Sequence, residues 1–298
     1  MAKRIITSLV GLPILIVIVY CGGIYLQLSL LILSIIGLSE FYSAMKTRTS
    51  PGNIIEFKPP DRGKHKKSEP RIRLSRVSVN YLGYAFAVLY YAMLPLISSN
   101  SFFFILITSF ITGAMVIMVL FHGKLNILDC AVTLFGFFYV AFMLSFIYQL
   151  RMHPQGNYFV WLVFLSAFGC DSCAYFAGRA FGKHKLAPYL SPNKTIEGAI
   201  GGIFGGLLLS TLFGWIISKT FQIEGTNIIL YCSIVGAVGA VFATFGDLAA
   251  SSIKRFTLIK DFGNLFPGHG GVLDRFDSVL FAAPMMYMML VFLIYSRA

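Results

Sequence analysis

The chain has 298 residues, of which 57% are hydrophobic and only 12% charged; mean hydropathy is +0.78 and the formal net charge is +12. Soluble domains carry about 25% charged residues, so this chain has too few charges to cover a water-facing surface. A soluble globular protein is excluded, and an all-α polytopic membrane protein with a basic surface is expected.

A helix needs about 20 apolar residues to cross a ~30 Å hydrocarbon core. Nine runs qualify, at about residues 5–21, 24–41, 79–98, 102–121, 128–148, 158–178, 196–218, 228–250 and 278–295. The first stands too close to the second, and lacks the small-residue cleavage site, to read as a removable signal peptide. Lysine and arginine favour cytoplasmic segments. With the N-terminus cytoplasmic and the C-terminus outside, 21 of them fall on the inside and 3 outside. The positive charge therefore collects at the cytoplasmic surface, where anionic lipid headgroups are the expected partners. No motif calls for nucleic acid.

The chain divides into an N-terminal transmembrane region, 1–150, and a C-terminal one, 151–298. The first is nearly free of polar chemistry. Glu40, near the end of the second span, is expected at headgroup level within reach of cytoplasmic lysines. A basic loop follows at 46–77; its prolines and missing apolar periodicity predict a solvated segment lying against anionic lipid. Asn126 and Asp129 are read as the cap and first-turn acid of the fifth span. A homodimer through this apolar half is the expected assembly.

The second region concentrates its polar residues on one side of the membrane. Small residues at helical spacing, Gly201 with Gly205, Gly202 with Gly206 and Gly236 with Ala240, predict close helix packing. Cys170 and Cys173 lie inside the sixth span and read as packing residues; five cysteines in apolar runs argue against a disulfide framework. Asp171 precedes Arg179, at the cytoplasmic end of that span, by about 12 Å of helix. Asp247 nears the end of the eighth span, Asp274 and Asp277 open the ninth, and Lys194-Thr195 precedes the seventh. An intramembrane carboxylate is costly and is a functional candidate.

The most informative run is 252–277, SIKRFTLIKDFGNLFPGHGGVLDRFD. Lys254, Arg255 and Lys260 supply positive charge for phosphates. The turn Pro267-Gly268-His269-Gly270-Gly271 exposes backbone N–H groups able to cradle an anion. Asp274 and Asp277, three apart, suit Mg²⁺, which carboxylates hold together with water and substrate phosphate.

These residues carry a resemblance. Ser252, Lys254, Arg255, Lys260, Asp261, Gly263, Phe266, Pro267, His269, Gly270, Gly271, Asp274, Arg275 and Asp277 match the signature of the phosphatidate cytidylyltransferases (CDP-diacylglycerol synthases). Cys170-Asp171-Ser172 through Gly178-Arg179, and Phe181-Gly182-Lys183 through Ser191-Pro192-Asn193-Lys194-Thr195 to Glu197-Gly198-Ala199, also resemble that family. Cys173 departs from it, standing where a Gly, Ala or Ser is usual. The resemblance implies a nucleotidyltransferase of the bacterial inner membrane that joins CTP to phosphatidic acid, giving CDP-diacylglycerol and pyrophosphate. Phosphoryl-type transfer is mostly positioning and charge neutralisation. Asp247, Asp274, Asp277, Lys254 and Lys260 are then the catalytic set, and Lys194, Thr195, Ser252, Arg255, His269, Gly270, Gly271 and Arg275 are substrate-binding. Mg²⁺, as one or two ions with room for a monovalent cation, is assigned to Asp247, Asp274 and Asp277, with Asp171 as a further ligand. Asp261 either joins them or pins a lysine.

Two other classes compete. A transporter with an acidic ion site would place its acids near mid-membrane, whereas these lie toward one face. A CDP-alcohol phosphotransferase would continue Asp277 with Gly, where this chain has Ser278. A Walker A loop is absent: 178–184 has the wrong spacing and lacks Ser or Thr.

Overall fold

Ten helices and one short hairpin, in the order α1 (Ala2–Cys21), α2 (Gly23–Thr47), α3 (Asn80–Met93), α4 (Asn100–Leu120), α5 (Ile127–Gly136), α6 (Met143–Met152), α7 (Gly156–Phe181), β1 (Lys185–Ala187), β2 (Ser191–Thr195), α8 (Ile196–Ile217), α9 (Ile228–Thr257) and α10 (Leu273–Tyr295), make up the computed structural model. It describes residues 2–47, 80–96, 100–122, 124–220, 227–265 and 270–295. The basic loop expected at 46–77 lies almost wholly outside the described residues.

The chain is a multi-pass membrane protein. Among the described residues, seven helical stretches are long and apolar enough to cross a membrane, with α5 and α6 counted as one through the π-helical turn Phe137–Phe142. Every expected span has a helix beneath it, but two are short: α3 has 14 residues, and the described apolar part of α1 is Gly11–Cys21. The other amendment to an all-helical expectation is the antiparallel pair β1–β2, with Lys185 opposite Thr195 and Ala187 opposite Ser191. Its polar, proline-containing strands are too short to show an apolar alternation.

Local chemistry sets the helix ends. Asn126 Oδ1 accepts from the N–H groups of Leu128 (2.9 Å) and Asp129 (3.2 Å), while Asp129 Oδ2 accepts from Asn126 N (2.9 Å). That reciprocal capping box satisfies donors the first turn would otherwise strand, as the sequence led one to expect. Between α1 and α2 the backbone reverses through Gly22 and Gly23, with φ of +61° and +49°. Arg151 covers this turn, donating from Nε to Val19 O (3.0 Å) and from Nη2 to Tyr20 O (2.9 Å), and so caps the last carbonyls of α1.

Lipid is as apolar as the helices, so close packing holds the bundle together rather than burial from water. Helices α7, α8 and α9 pack on one another, and α10 packs on α9, α7 and α6. At α7–α8 the glycines do the fitting: a Cβ at Gly201 would collide with Ala177, and one at Gly205 with Cys173. Gly206 and Gly236 allow the same approach between α8 and α9. Cys170 Sγ lies 3.4 Å from Thr244 Oγ1 in this packing layer, so the cysteines serve as small residues. The N-terminal half is cemented by aromatic rings instead. Phe86 stacks on Phe110 (3.8 Å between centroids), and both meet Phe137 edge-on.

The chain's reversals bring the C-terminal ends of α2, α7 and α9, and the starts of α8 and α10, to one end of the bundle. Ion pairs and hydrogen bonds between them hold that layer together.

Candidate active site

The layer begins at the end of α7. Asp171 accepts from Ser278 Oγ, at 3.1 and 3.2 Å from its two oxygens, which ties α7 to the first turn of α10. Beyond α7 the hairpin folds back. Thr195 caps α8 by accepting from Gly198 N (3.1 Å). In the first turn of α8, Glu197 accepts from the N–H groups of Lys183 (3.0 Å) and His184 (3.2 Å) and meets His184 Nδ1 at 2.6 Å. The hairpin is thereby pinned, and Lys194, beside its cap, forms an ion pair with Asp247 of α9. From the same helix Arg255 Nε donates to Leu190 O (3.1 Å) at the hairpin turn.

Helix α9 ends on Leu258, whose left-handed backbone (φ 60°) is uncommon for a side chain of that size. Leu258 and Ile259 donate to the last-turn carbonyls of Arg255 and Lys254 and turn the chain into the signature loop. Asp274 organises that loop. Its Oδ1 receives Lys254 Nζ (2.9 Å), and its Oδ2 accepts from Phe262 N (2.8 Å) and Gly271 N (3.0 Å). Gly270 has φ +83°, and a Cβ there would stand 2.8 Å from Asp274 Oδ2. Tight approach and backbone sign both require glycine at that position.

Asp277, only 8% exposed, accepts from its neighbour Ser278 N (2.8 Å). The charges of Asp247 and Asp171 both reach it, and Arg275 and Lys194 lie within electrostatic reach of Asp171. Asp171, Asp247 and Asp277, from three different helices, thus lie within electrostatic reach of one another. Asp274 stands beside them, with both oxygens already engaged by Lys254 and the loop backbone. Ser252, Lys260 and Asp261 are exposed in or beside the loop. Phe266, Pro267, Gly268 and His269 lie outside the described residues.

Among the described residues, no three His, Cys, Asp or Glu side chains stand close enough to hold a metal ion unaided. Mg²⁺ does not require that. It dehydrates reluctantly and commonly takes one or two carboxylates, with waters and substrate phosphates completing the shell. One or two of the carboxylates of Asp247, Asp277 and Asp171 would be enough for such an ion.

Two residues escaped sequence reasoning. Glu40 is held by backbone N–H groups, with no lysine ion pair among the described residues. It is buried (8% exposed), and its two oxygens accept from Val272 N and Leu273 N, each at 2.9 Å. It supplies the start of α10 with an acidic cap from a helix more than 200 residues away. A carboxylate inside an apolar run was the available signal; its partner could not be read from the sequence. The second is Tyr139, whose buried hydroxyl lies within electrostatic reach of Asp277, Asp247 and Asp274; nothing in its apolar run marks it out.

A polytopic helical bundle with cationic and acidic groups at one end defines a membrane enzyme class that handles phosphates. The chain matches the Cytidylyltransferase family over residues 2–293. It is 30% identical to the phosphatidate cytidylyltransferase of Staphylococcus aureus (strain COL), over 98% of this chain and 99% of that protein. It is 31% identical to the proteins of that name from Staphylococcus haemolyticus (strain JCSC1435) and Staphylococcus epidermidis (strain ATCC 12228), with the same coverage. The chain belongs to the Cytidylyltransferase family and is a nucleotidyltransferase.

Proposed function

We propose that the chain is a phosphatidate cytidylyltransferase of a bacterial cell membrane, working at the cytoplasmic end of the bundle. The observation that carries this reading is one layer in which Lys194 and Lys254 flank the carboxylates of Asp171, Asp247 and Asp277.

A lipid phosphate oxygen attacks the α-phosphorus of CTP. A new P–O–P linkage forms, the α–β anhydride bond breaks, and pyrophosphate leaves with the bonding electrons. The second pKa of a phosphate monoester is about 6, so the nucleophile is ionised without help from a protein base. The obstacle is repulsion: two like charges 4 Å apart oppose each other by about 4 kcal/mol at an effective dielectric near 20. Lys254, held by Asp274, and Lys194, held by Asp247, present cations where the polyanions meet. Exposed Arg255, Lys260 and Arg275 extend that field, with Ser252 and Thr195 as hydroxyl donors. Gly270 and Gly271 belong to the loop proposed to receive the phosphates.

One or two of the carboxylates of Asp247, Asp277 and Asp171 would hold Mg²⁺, which when bound would supply positive charge against the CTP phosphates. Asp274, which accepts Lys254 Nζ and two loop N–H groups, is assigned to shaping the loop and aiming Lys254.

Purified full-length protein, phosphatidic acid vesicles, CTP labelled in its α-phosphate and Mg²⁺ test this reading. Label should enter the lipid phase only with phosphatidic acid present, and EDTA should abolish transfer. No labelled lipid under these conditions would overturn the activity; undiminished transfer in EDTA would overturn the metal.

A further inference from the structure

Tyr139 lies in the π-helical turn Phe137–Phe142, in the half of the chain that also supplies Glu40. The residue is 4% exposed, yet its hydroxyl is a buried polar atom without a hydrogen-bond partner among the described residues. Buried hydroxyls almost always find one, because an unpaired one keeps its full desolvation penalty. This one also lies within electrostatic reach of Asp277, Asp247 and Asp274.

The surroundings hold the ring in that position. It stacks on Phe135 (centroids 5.7 Å apart, planes 11° apart) and leans on Phe41 (6.1 Å). Phe41 is next to Glu40, which anchors the start of α10. Gly37 of α2 packs against both Val140 of the π-turn and Leu273 of α10, so the turn and the catalytic helix share one support. The turn itself is braced by Tyr91, whose hydroxyl donates to Ala141 O (3.1 Å) and accepts from Ser34 Oγ (3.0 Å). One extra residue in a helical turn rotates the downstream side chains by about 100°, and such π-bulges occur frequently at functional sites. Here the turn places a phenolic O–H donor within electrostatic reach of the acidic layer, with no hydrogen-bond partner among the described residues.

We propose that the Tyr139 hydroxyl is a substrate-contacting group that donates a hydrogen bond to a phosphate oxygen of one of the two substrates as they meet in the Asp171–Asp247–Asp277 layer. This rests on the cytidylyltransferase reading. It makes the N-terminal half part of the reaction centre rather than a scaffold alone. A phosphate oxygen suits the site because it is an acceptor that brings its own negative charge, which the neighbouring lysines offset.

The test is Tyr139→Phe in full-length protein in phosphatidic acid vesicles, with thermal unfolding and separate kinetic titrations of CTP and phosphatidic acid. The ring and its stacking survive, so the midpoint should hold or rise, while kcat/KM falls about 10- to 100-fold, the range of a hydrogen bond to a charged group. A rise in KM for CTP alone assigns the contact to the nucleotide, and a rise for phosphatidic acid alone assigns it to the lipid. A fall in kcat with both KM values unchanged places the contact in the transition state. Unchanged kcat/KM overturns the proposal, as does a loss of activity accompanied by a matching drop in unfolding temperature. If the unsubstituted protein forms no CDP-lipid, the cytidylyltransferase reading itself has failed. An active parent with an equally active Tyr139→Phe variant removes only the tyrosine.

Discussion

Replacing Glu40 with alanine should silence the enzyme from a helix that bears none of the carboxylates of the acidic layer. The carboxylate accepts two backbone N–H groups at 2.9 Å, is 8% exposed, and sits at the positive end of α10. Hydrogen bonds to a charged group contribute about 1.5–3 kcal/mol each, and the interaction with a helix terminus adds about 0.3–1 kcal/mol. Glu40→Ala therefore removes roughly 3–7 kcal/mol of support from the loop-to-helix junction. At 1.4 kcal/mol per factor of ten, even the lower figure reduces the docked loop by about a hundredfold. The effect should reach CTP and lipid alike, because Gly263 and Gly271 both wrap the carboxylate so closely that a Cβ on either would strike it. Turnover in phosphatidic acid vesicles, alongside protease protection of the 258–272 loop, measures both consequences. Glu40→Gln keeps one acceptor oxygen and should fall between. Wild-type turnover and wild-type protection in Glu40→Ala would refute the claim that this carboxylate holds the loop.

Asp277→Asn should abolish turnover with little change in unfolding temperature, whereas Asp274→Asn should lower both, because it also loosens Lys254 and two loop N–H groups; parallel melting and transfer assays separate them. Gly270→Ala forces a Cβ into a left-handed backbone beside Asp274, at a cost of about 1–2 kcal/mol, and should depress activity while the transmembrane helices stay folded by circular dichroism. Arg151→Ala, at the opposite end of the bundle, should lower thermal stability by uncapping α1 but leave KM for both substrates unchanged. A shifted KM there would mean that the two ends are coupled.

Much of the fold was legible because hydropathy is a local property. Lipid demands that each crossing satisfy its own backbone bonds, so an apolar run of sufficient length already specifies a helix, and Asn126 with Asp129 announced a cap within four residues. The signature run was equally readable, since its glycines and charges are spaced for one loop. Contacts decided by folding were not readable. Glu40 and Leu273 are more than two hundred residues apart, and only the packing of α2 against α10 reveals that one caps the other. Tyr139 looks like any aromatic in an apolar helix until the π-turn and its neighbouring rings direct the hydroxyl toward the acids. The different surroundings of Asp274 and Asp277 are also decided in three dimensions. Two identical side chains one turn apart differ because α9 delivers Lys254 and the loop two N–H donors to the first, while the second is buried within electrostatic reach of Asp247 and Asp171.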